Sequence, residues 1–230
     1  MRLLRLTAAG FATLVAGPSL ADTLGAQVHY SFGQGSFDGV ELSAPAALDE
    51  PQLLEGRRPR LRGMGTLQGG SLRADLLLDR WRLGAGASLF SVSEVRLATD
   101  ALPFGVTARV DQLWTTAGEV FVGYEVRQGP VYGYVDGRLS LQVLQAQLDT
   151  YVAPHGHVGS TSYAAVSPGV GPRFGALIPI GHSLMVDVNV YRQVLGGFEQ
   201  LTLSLGVGYW ENDRRDEFSD HLRRGPRGDF

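Results

Sequence analysis

Residues 129–148 read GPVYGYVDGRLSLQVLQAQL, and from Val131 every second position is apolar or glycine: Val131, Gly133, Val135, Gly137, Leu139, Leu141 and Val143. Between them stand Tyr132, Tyr134, Asp136, Arg138, Ser140 and Gln142. A two-residue period belongs to a β-strand, whose side chains alternate between the two faces of a sheet. One face here carries no charge. The other carries an acid, a base, hydroxyls and an amide, and the fold depends on which of the two meets water.

The same period recurs over 24–32, 72–79, 81–90, 116–126, 166–178, 184–191 and 201–210, so the chain is expected to form eight strands. Tight turns join some of them, at 78–81, 127–130 and 179–182. Between these lie longer segments, 33–71, 91–115 and 149–165, and a shorter one at 195–200. Short turns at one end and long connections at the other suit an antiparallel up-and-down barrel whose ends face different compartments. The stretch RLRGMGTLQGG within 33–71 also alternates, and is expected to extend the second strand through a bulge at Gly69-Gly70. Pro168 and Pro172 each remove a ladder donor, so a bulge or an exit from the membrane is expected in the upper sixth strand.

Across all eight strands the apolar parity is free of charge. The other parity holds His29, Arg73, Asp75, Asp79, Arg82, Glu119, Glu125, Arg127, Asp136, Arg138, Arg173 and Asp187. It is also rich in small residues, among them Gly84, Gly86, Gly123, Gly171, Gly175, Gly206 and Gly208. Glycine makes up 31 of 230 residues, about 13% against roughly 7% in ordinary proteins. That abundance argues against a helical bundle. A soluble β-sandwich would place the apolar faces inside and cover the outside with lysines, yet every basic side chain here is arginine. Small residues beside large polar ones suit a narrow, filled interior. The apolar parity is therefore expected to face lipid and the polar parity to line the lumen. A closed barrel satisfies every backbone hydrogen bond, as a bilayer demands. Tyr30 and Phe32 would then form an outer aromatic girdle, with Trp81, Tyr124 and Tyr209 an inner one.

The N-terminus MRLLRLTAAGFATLVAGPSLA has a basic start, an uncharged run and small residues before position 22, the pattern of a cleaved secretory signal peptide over 1–21. The barrel is expected over 22–210. A charged periplasmic tail is expected over 211–230, where ENDRRDEFSDHLRRGPRGDF mixes both signs. The chain has no cysteine, which excludes disulfides, thiolate chemistry, Cys-based metal sites and a lipoprotein anchor. A net charge of −3 gives no broad attraction to nucleic acid.

These strands, the loop asymmetry, the turns LLLDRWRLGAGASLF and QGPVYGYVDGRLSL, and the closing strand LTLSLGVGYW together resemble the small eight-stranded outer-membrane barrels of the OmpA, OmpX and opacity-protein class. The resemblance spans 24–210. It implies an all-β, transmembrane barrel exported to the outer membrane, surrounded by outer-membrane lipids and lipopolysaccharide, and inserted by the barrel-assembly machinery. Members of the class commonly end on a strand-terminal aromatic. Trp210 stands in that place, with twenty residues after it, too few for a peptidoglycan-binding domain.

Several side chains invite chemistry. Arg82, Glu119, Glu125, Asp136, Arg138, Arg173 and Asp187 share the inward parity and are expected to form a lumen charge network. Counting from the turns, Glu119 should pair with Arg138 and Arg173 with Asp187. Arg57, Arg58, Arg60 and Arg62 form a basic cluster in the longest loop, a possible anion site facing lipopolysaccharide phosphates. His182-Ser183 lacks the His-x-Ser spacing of barrel enzymes that act on lipid A, and no acid on the lipid-facing parity completes a triad. His155 and His157 offer two metal ligands without a third. The expected role is structural or surface-binding, with a plugged lumen, no metal, no cofactor and no catalysis. The alternatives are a narrow pore or small-solute transporter, and a lipid-A-modifying enzyme.

Overall fold

The computed structural model describes residues 23–43, 58–78, 80–98, 105–180, 183–194 and 197–210. The signal segment 1–21, the tail 211–230, Arg57 and His182 lie outside the described residues. Eight long strands are present: β1 (Thr23–Glu41), β2 (Arg60–Leu78), β3 (Trp81–Ser93), β5 (Val106–Gln128), β6 (Val131–Val152), β7 (Gly156–Pro179), β8 (Leu184–Gln193) and β9 (Phe198–Trp210). A two-residue β4 (Arg96–Leu97) sits beside the outer end of β2. Each long strand pairs antiparallel with the next in sequence, and β9 returns to β1. The ring is closed, so no long edge is left within the lipid-facing band.

The short connections fall between β2 and β3, at 129–130 and between β7 and β8. Gly129 takes a φ of +63° in its turn, a conformation that costs a side-chain-bearing residue and little for glycine. The other end differs in part from the sequence expectation. β2 does extend over 60–71, as the alternation there predicts, and strand also continues through much of the segments read as loops, over 33–41, over 106–115, and over 149–152 with 156–165. The reason is an inversion of polarity. Within the lower part of the wall the outward row is apolar, as in Val135, Leu139, Leu141 and Val143 of β6. Above it the outward row turns polar at Gln145 and Gln147, while Leu144, Ala146 and Leu148 turn inward and are buried. Alternation persists; only its chemical sense changes.

That changeover marks the upper limit of the apolar belt on every strand. Apart from Thr116 within the belt of β5, the first polar outward residue is Gln34 on β1, Gln68 on β2, Ser91 on β3, Gln112 on β5, Gln145 on β6, Ser162 on β7, Arg192 on β8 and Glu199 on β9. On β1 the belt runs from Leu24 to Phe32, a length that matches the ~9–11 residues of a tilted membrane-spanning strand. Tyr30 and Phe32 are exposed near its upper limit, and Trp81 and Tyr209 near its lower one. Trp81 meets Tyr124 edge-on, with ring centroids 5.5 Å apart.

Two further expectations are corrected. No bulge occurs at Gly69-Gly70: β1 and β2 stay in register from Thr23↔Leu77 to Asp38↔Arg62, and the shift lies between Asp38 and Val40. β7 keeps its register with β6 through both Pro168 and Pro172. Val170 donates its N–H to Val194, so even-numbered positions of β7 point toward β8. Regular β7–β8 pairing stops at Arg173↔Tyr191. The prolines therefore place their missing donors on either side of the isolated Val170–Val194 bridge, where the regular β7–β8 ladder has ended. Above the short β8–β9 hairpin, Ser43 exchanges two backbone hydrogen bonds of 2.8 Å with Ala164, so the chain beyond β1 crosses to β7 and closes the wall there.

Candidate functional site: the charged lumen

The strand period and the ring closure turn one parity of every strand inward, and the described inward side chains stack in layers. At the inner end Tyr132, Tyr134, Leu177, Met185 and Trp210 form an apolar floor. Trp210 thus points into the lumen, and its neighbour Tyr209 faces outward. At the outer end Phe37, Leu42, Leu61, Leu67, Phe90, Leu144 and Phe198 belong to a buried apolar plug, with Phe37 and Phe198 in ring contact at 4.6 Å. Between floor and plug lie the charges.

Four arginines and four carboxylates interlock in that middle layer. Glu119 receives Arg138, Arg73 at 3.2 Å and Arg173 at 3.3 Å. Asp136 accepts hydrogen bonds from Arg173 at 2.9 Å and 2.5 Å, and the Arg82 guanidinium lies 4.0 Å away. Asp75 binds Arg82 and the amide of Gln27. Asp187 lies 2.8 Å from His29 Nε2 and accepts hydrogen bonds from the Tyr134 hydroxyl at 2.8 Å and from Asn189 at 3.2 Å, with Arg73 at 3.8 Å. Aromatic rings cover the guanidinium faces: Tyr134 over Arg82 at 3.9 Å, Tyr191 over Arg138 at 4.0 Å and Phe121 over Arg173 at 4.3 Å. Arg173 and Asp187 are both 0% exposed. Charges this deep stay ionised only if opposite charges and hydrogen bonds replace water, and equal numbers of each sign supply that.

Above the charges an amide and hydroxyl layer leads to the plug. Gln142 donates to Gln200 at 3.2 Å, Gln200 donates to the Tyr191 hydroxyl at 2.5 Å, and Ser31 and Ser204 share a hydrogen bond of 2.7 Å.

The space for these large side chains comes from inward glycines opposite or beside them. A Cβ on Gly123 would stand 1.9 Å from Asp136 Oδ1, one on Gly206 2.2 Å from the His29 ring, and one on Gly175 2.3 Å from the Tyr134 ring. Gly84 is filled in the same way by Phe121.

Of the network residues expected from the sequence, Arg82, Glu119, Asp136, Arg138, Arg173 and Asp187 are all brought into it. Glu125 is buried lower in the wall, opposite Tyr134 in the ladder. Glu119 meets Arg138, but the pairing of Arg173 with Asp187 does not form. The β7–β8 ladder sets Arg173 against Tyr191 and Leu177 against Asp187. The hairpin is centred two residues beyond the point assumed from the turn sequence, which moves Asp187 away from Arg173. Arg173 instead lies directly opposite Asp136 on β6. Arg73, Asp75, His29 and Tyr134 complete the network. Their inward parity is visible in the sequence, but their partners lie across the lumen or on non-consecutive strands.

Part of the arginine cluster lies in a strand rather than a loop. Arg60 and Arg62 belong to β2, and Arg58 and Arg60 lie 3.9 Å and 2.6 Å from Glu41. Those pairs are exposed and already meet an acid, which weakens an anion site there. His155 and His157 are exposed, with His157 3.8 Å from Asp149. Among the described residues no group of three potential metal ligands occurs.

Charged side chains are thus packed inside a closed ring, while Val28, Leu72, Val120, Leu139, Phe174, Leu205 and others of the apolar parity stand exposed on its outside. That distribution is the reverse of a water-soluble barrel. This is an eight-stranded transmembrane β-barrel. Its architecture is that of the small outer-membrane barrels.

No protein-family model and no curated protein sequence matches the chain. Among solved structures the barrel is similar to neisserial surface protein A (16% identity, TM-score 0.49, covering 81% of this chain and 96% of that one). It is also similar to Ail, the attachment invasion locus protein of Yersinia pestis (14% identity, TM-score 0.49, 82% and 98%). The N-terminal β-barrel domain of Pseudomonas aeruginosa OprF gives 14% identity and a TM-score of 0.39, covering 81% and 97%. These likenesses concern the fold alone.

Proposed function

We propose that the barrel resides in the outer membrane of a two-membrane envelope and acts as a structural or surface-binding protein, with a lumen that does not conduct. The observation that carries this is the three-layer interior: an apolar floor, a self-compensating charge layer and an apolar plug, all inside an apolar outer belt. An eight-stranded ring leaves an interior about wide enough for side chains to fill. In this reading the short-turn end faces the periplasm, and the polar wall above the belt rises toward the exterior. Outer-membrane lipids, lipopolysaccharide among them, surround the belt, and the assembly machinery inserts it. The inward carboxylates and His29 are engaged with arginines, amides and a tyrosine, which supports a scaffold over a reaction centre.

Membrane fractionation with heat-modifiable gel mobility tests the placement, and planar-bilayer recording tests the lumen. The expected result is a heat-shifted band in the outer-membrane fraction and no discrete current steps. Steps in the wild-type protein would replace the structural reading with a pore. Lipid A of unchanged mass with and without the protein is expected, and a new lipid A species would make it an enzyme.

A further inference from the structure

The outer surface immediately above the apolar belt carries hydrogen-bonding groups without charge on six of the eight long strands: Gln34, Gln68, Ser91, Gln112, Gln145 and Ser162. A wall at this height lies at the level of lipid headgroups. Membrane proteins that hold anionic headgroups present Lys or Arg there, and among the described residues of this row Arg192 is the one basic side chain. The collar is continuous except on β8 and β9, where Arg192 and Glu199 lie 3.4 Å apart.

On β5, β6 and β7 the collar deepens into a groove of about 350 Å³, within the ~300–1,000 Å³ range of small-ligand sites. Trp114, Gln112, Gln145, Gln147 and Ser162 line it. The ladders set Gln112 against Gln147 and Gln147 against Ser162, and Trp114 against Gln145. Three amides, a hydroxyl and an indole that is 42% exposed therefore share one patch of the outer face. The row above it holds Arg109 and Asp149, opposite signs facing each other in register, and Asp111 stands exposed at the bulge beside Gln112, so the charge nearest the groove leans acidic and does not favour a phosphate.

We infer that this groove binds the sugar headgroup of a glycolipid in the surrounding leaflet. An amide both donates and accepts, as a sugar hydroxyl does, whereas a phosphate only accepts and is held best by guanidinium. An exposed indole offers an apolar face to the C–H side of a sugar ring while its N–H remains free to reach a hydroxyl. Standing at the belt's upper limit, the groove can take the headgroup while the acyl chains lie along Val143 and Val166 below it. The inference rests on the membrane reading.

The test uses the full mature chain in nanodiscs of phosphatidylcholine doped equally with digalactosyl diacylglycerol and phosphatidylglycerol, with retained lipids counted by native mass spectrometry. The wild type should retain the galactolipid over phosphatidylglycerol by about fivefold, the effect of roughly one hydrogen-bonded contact. Trp114→Ala, and separately Gln145→Ala with Gln147→Ala, should abolish that preference, and Gln34→Ala on a distant strand should keep it. Equal retention of both lipids by the wild type, or undiminished preference in both groove variants, overturns the sugar site while the inserted barrel stands. Failure of the wild type to enter any nanodisc, with no heat-modifiable mobility, overturns the membrane reading itself.

Discussion

The carboxylate of Glu119 holds the guanidinium of Arg138 across a diagonal of the β5–β6 ladder, not across from it. Ser140 stands opposite Glu119 and Phe121 opposite Arg138. The same carboxylate also receives Arg73 and Arg173, so it is the point where three cations are compensated. Glu119→Gln keeps the shape and removes the charge. It should destabilise the folded barrel by about 3–5 kcal/mol in denaturant titrations from lipid vesicles, because three buried cations lose a shared partner. Glu199→Gln, exposed beside Arg192, should stay within about 0.5 kcal/mol of wild type. A double-mutant cycle on Glu119 and Arg138 should return a coupling above about 1 kcal/mol. Zero coupling would mean that each charge is solvated separately.

Val135 and Val188 face outward within the belt. Replacing either with Arg should cost about 2–4 kcal/mol near the midplane and reduce the folded, heat-shiftable band. Gln34→Arg, one step above the belt, should leave folded yield unchanged. Equal tolerance at all three positions would contradict the placement of the belt.

Gly123 and Gly118 lie five residues apart on the same strand and on opposite faces. A Cβ at Gly123 would collide with Asp136, whereas one at Gly118 meets nothing within 4 Å. Gly123→Val should therefore destabilise by about 1–3 kcal/mol through overpacking, and Gly118→Val should be neutral. Unfolding midpoints of the two variants in the same vesicles decide the matter, and reversed sensitivities would invert the assignment of faces.

Leu67 and Phe198 fill the outer plug with 0% exposure. Leu67→Ala should cost about 2–5 kcal/mol and Phe198→Ala about 3–5 kcal/mol, the range for cavities in close-packed cores. The outward residues on the same stretch, Thr66 and Glu199, should tolerate alanine. If Leu67→Ala proved neutral, the space behind these strands would be hydrated and not a packed plug.

The sequence by itself determined the faces. A two-residue period reports the parity of every side chain, and a charge-free parity repeated over eight segments admits lipid on one side only. The inward glycines beside Tyr134, Asp136 and His29 were legible for the same reason, since glycine in a strand marks a close approach. Two things were decided by the tertiary structure alone. The first is where the strands end. Alternation survives above Val143, but Leu144 and Leu148 bury themselves inside a wall that has left the membrane, so apolar no longer means outward. A local pattern cannot tell a strand's exit from bilayer to water from the start of a loop. The second is which charges meet. Arg173 joins Asp136 and Glu119, while Asp187 joins His29 and Tyr134, because the stagger between neighbouring strands sets height in the lumen. That stagger arises from closing eight tilted strands into one ring, a condition on the whole chain that no single segment carries.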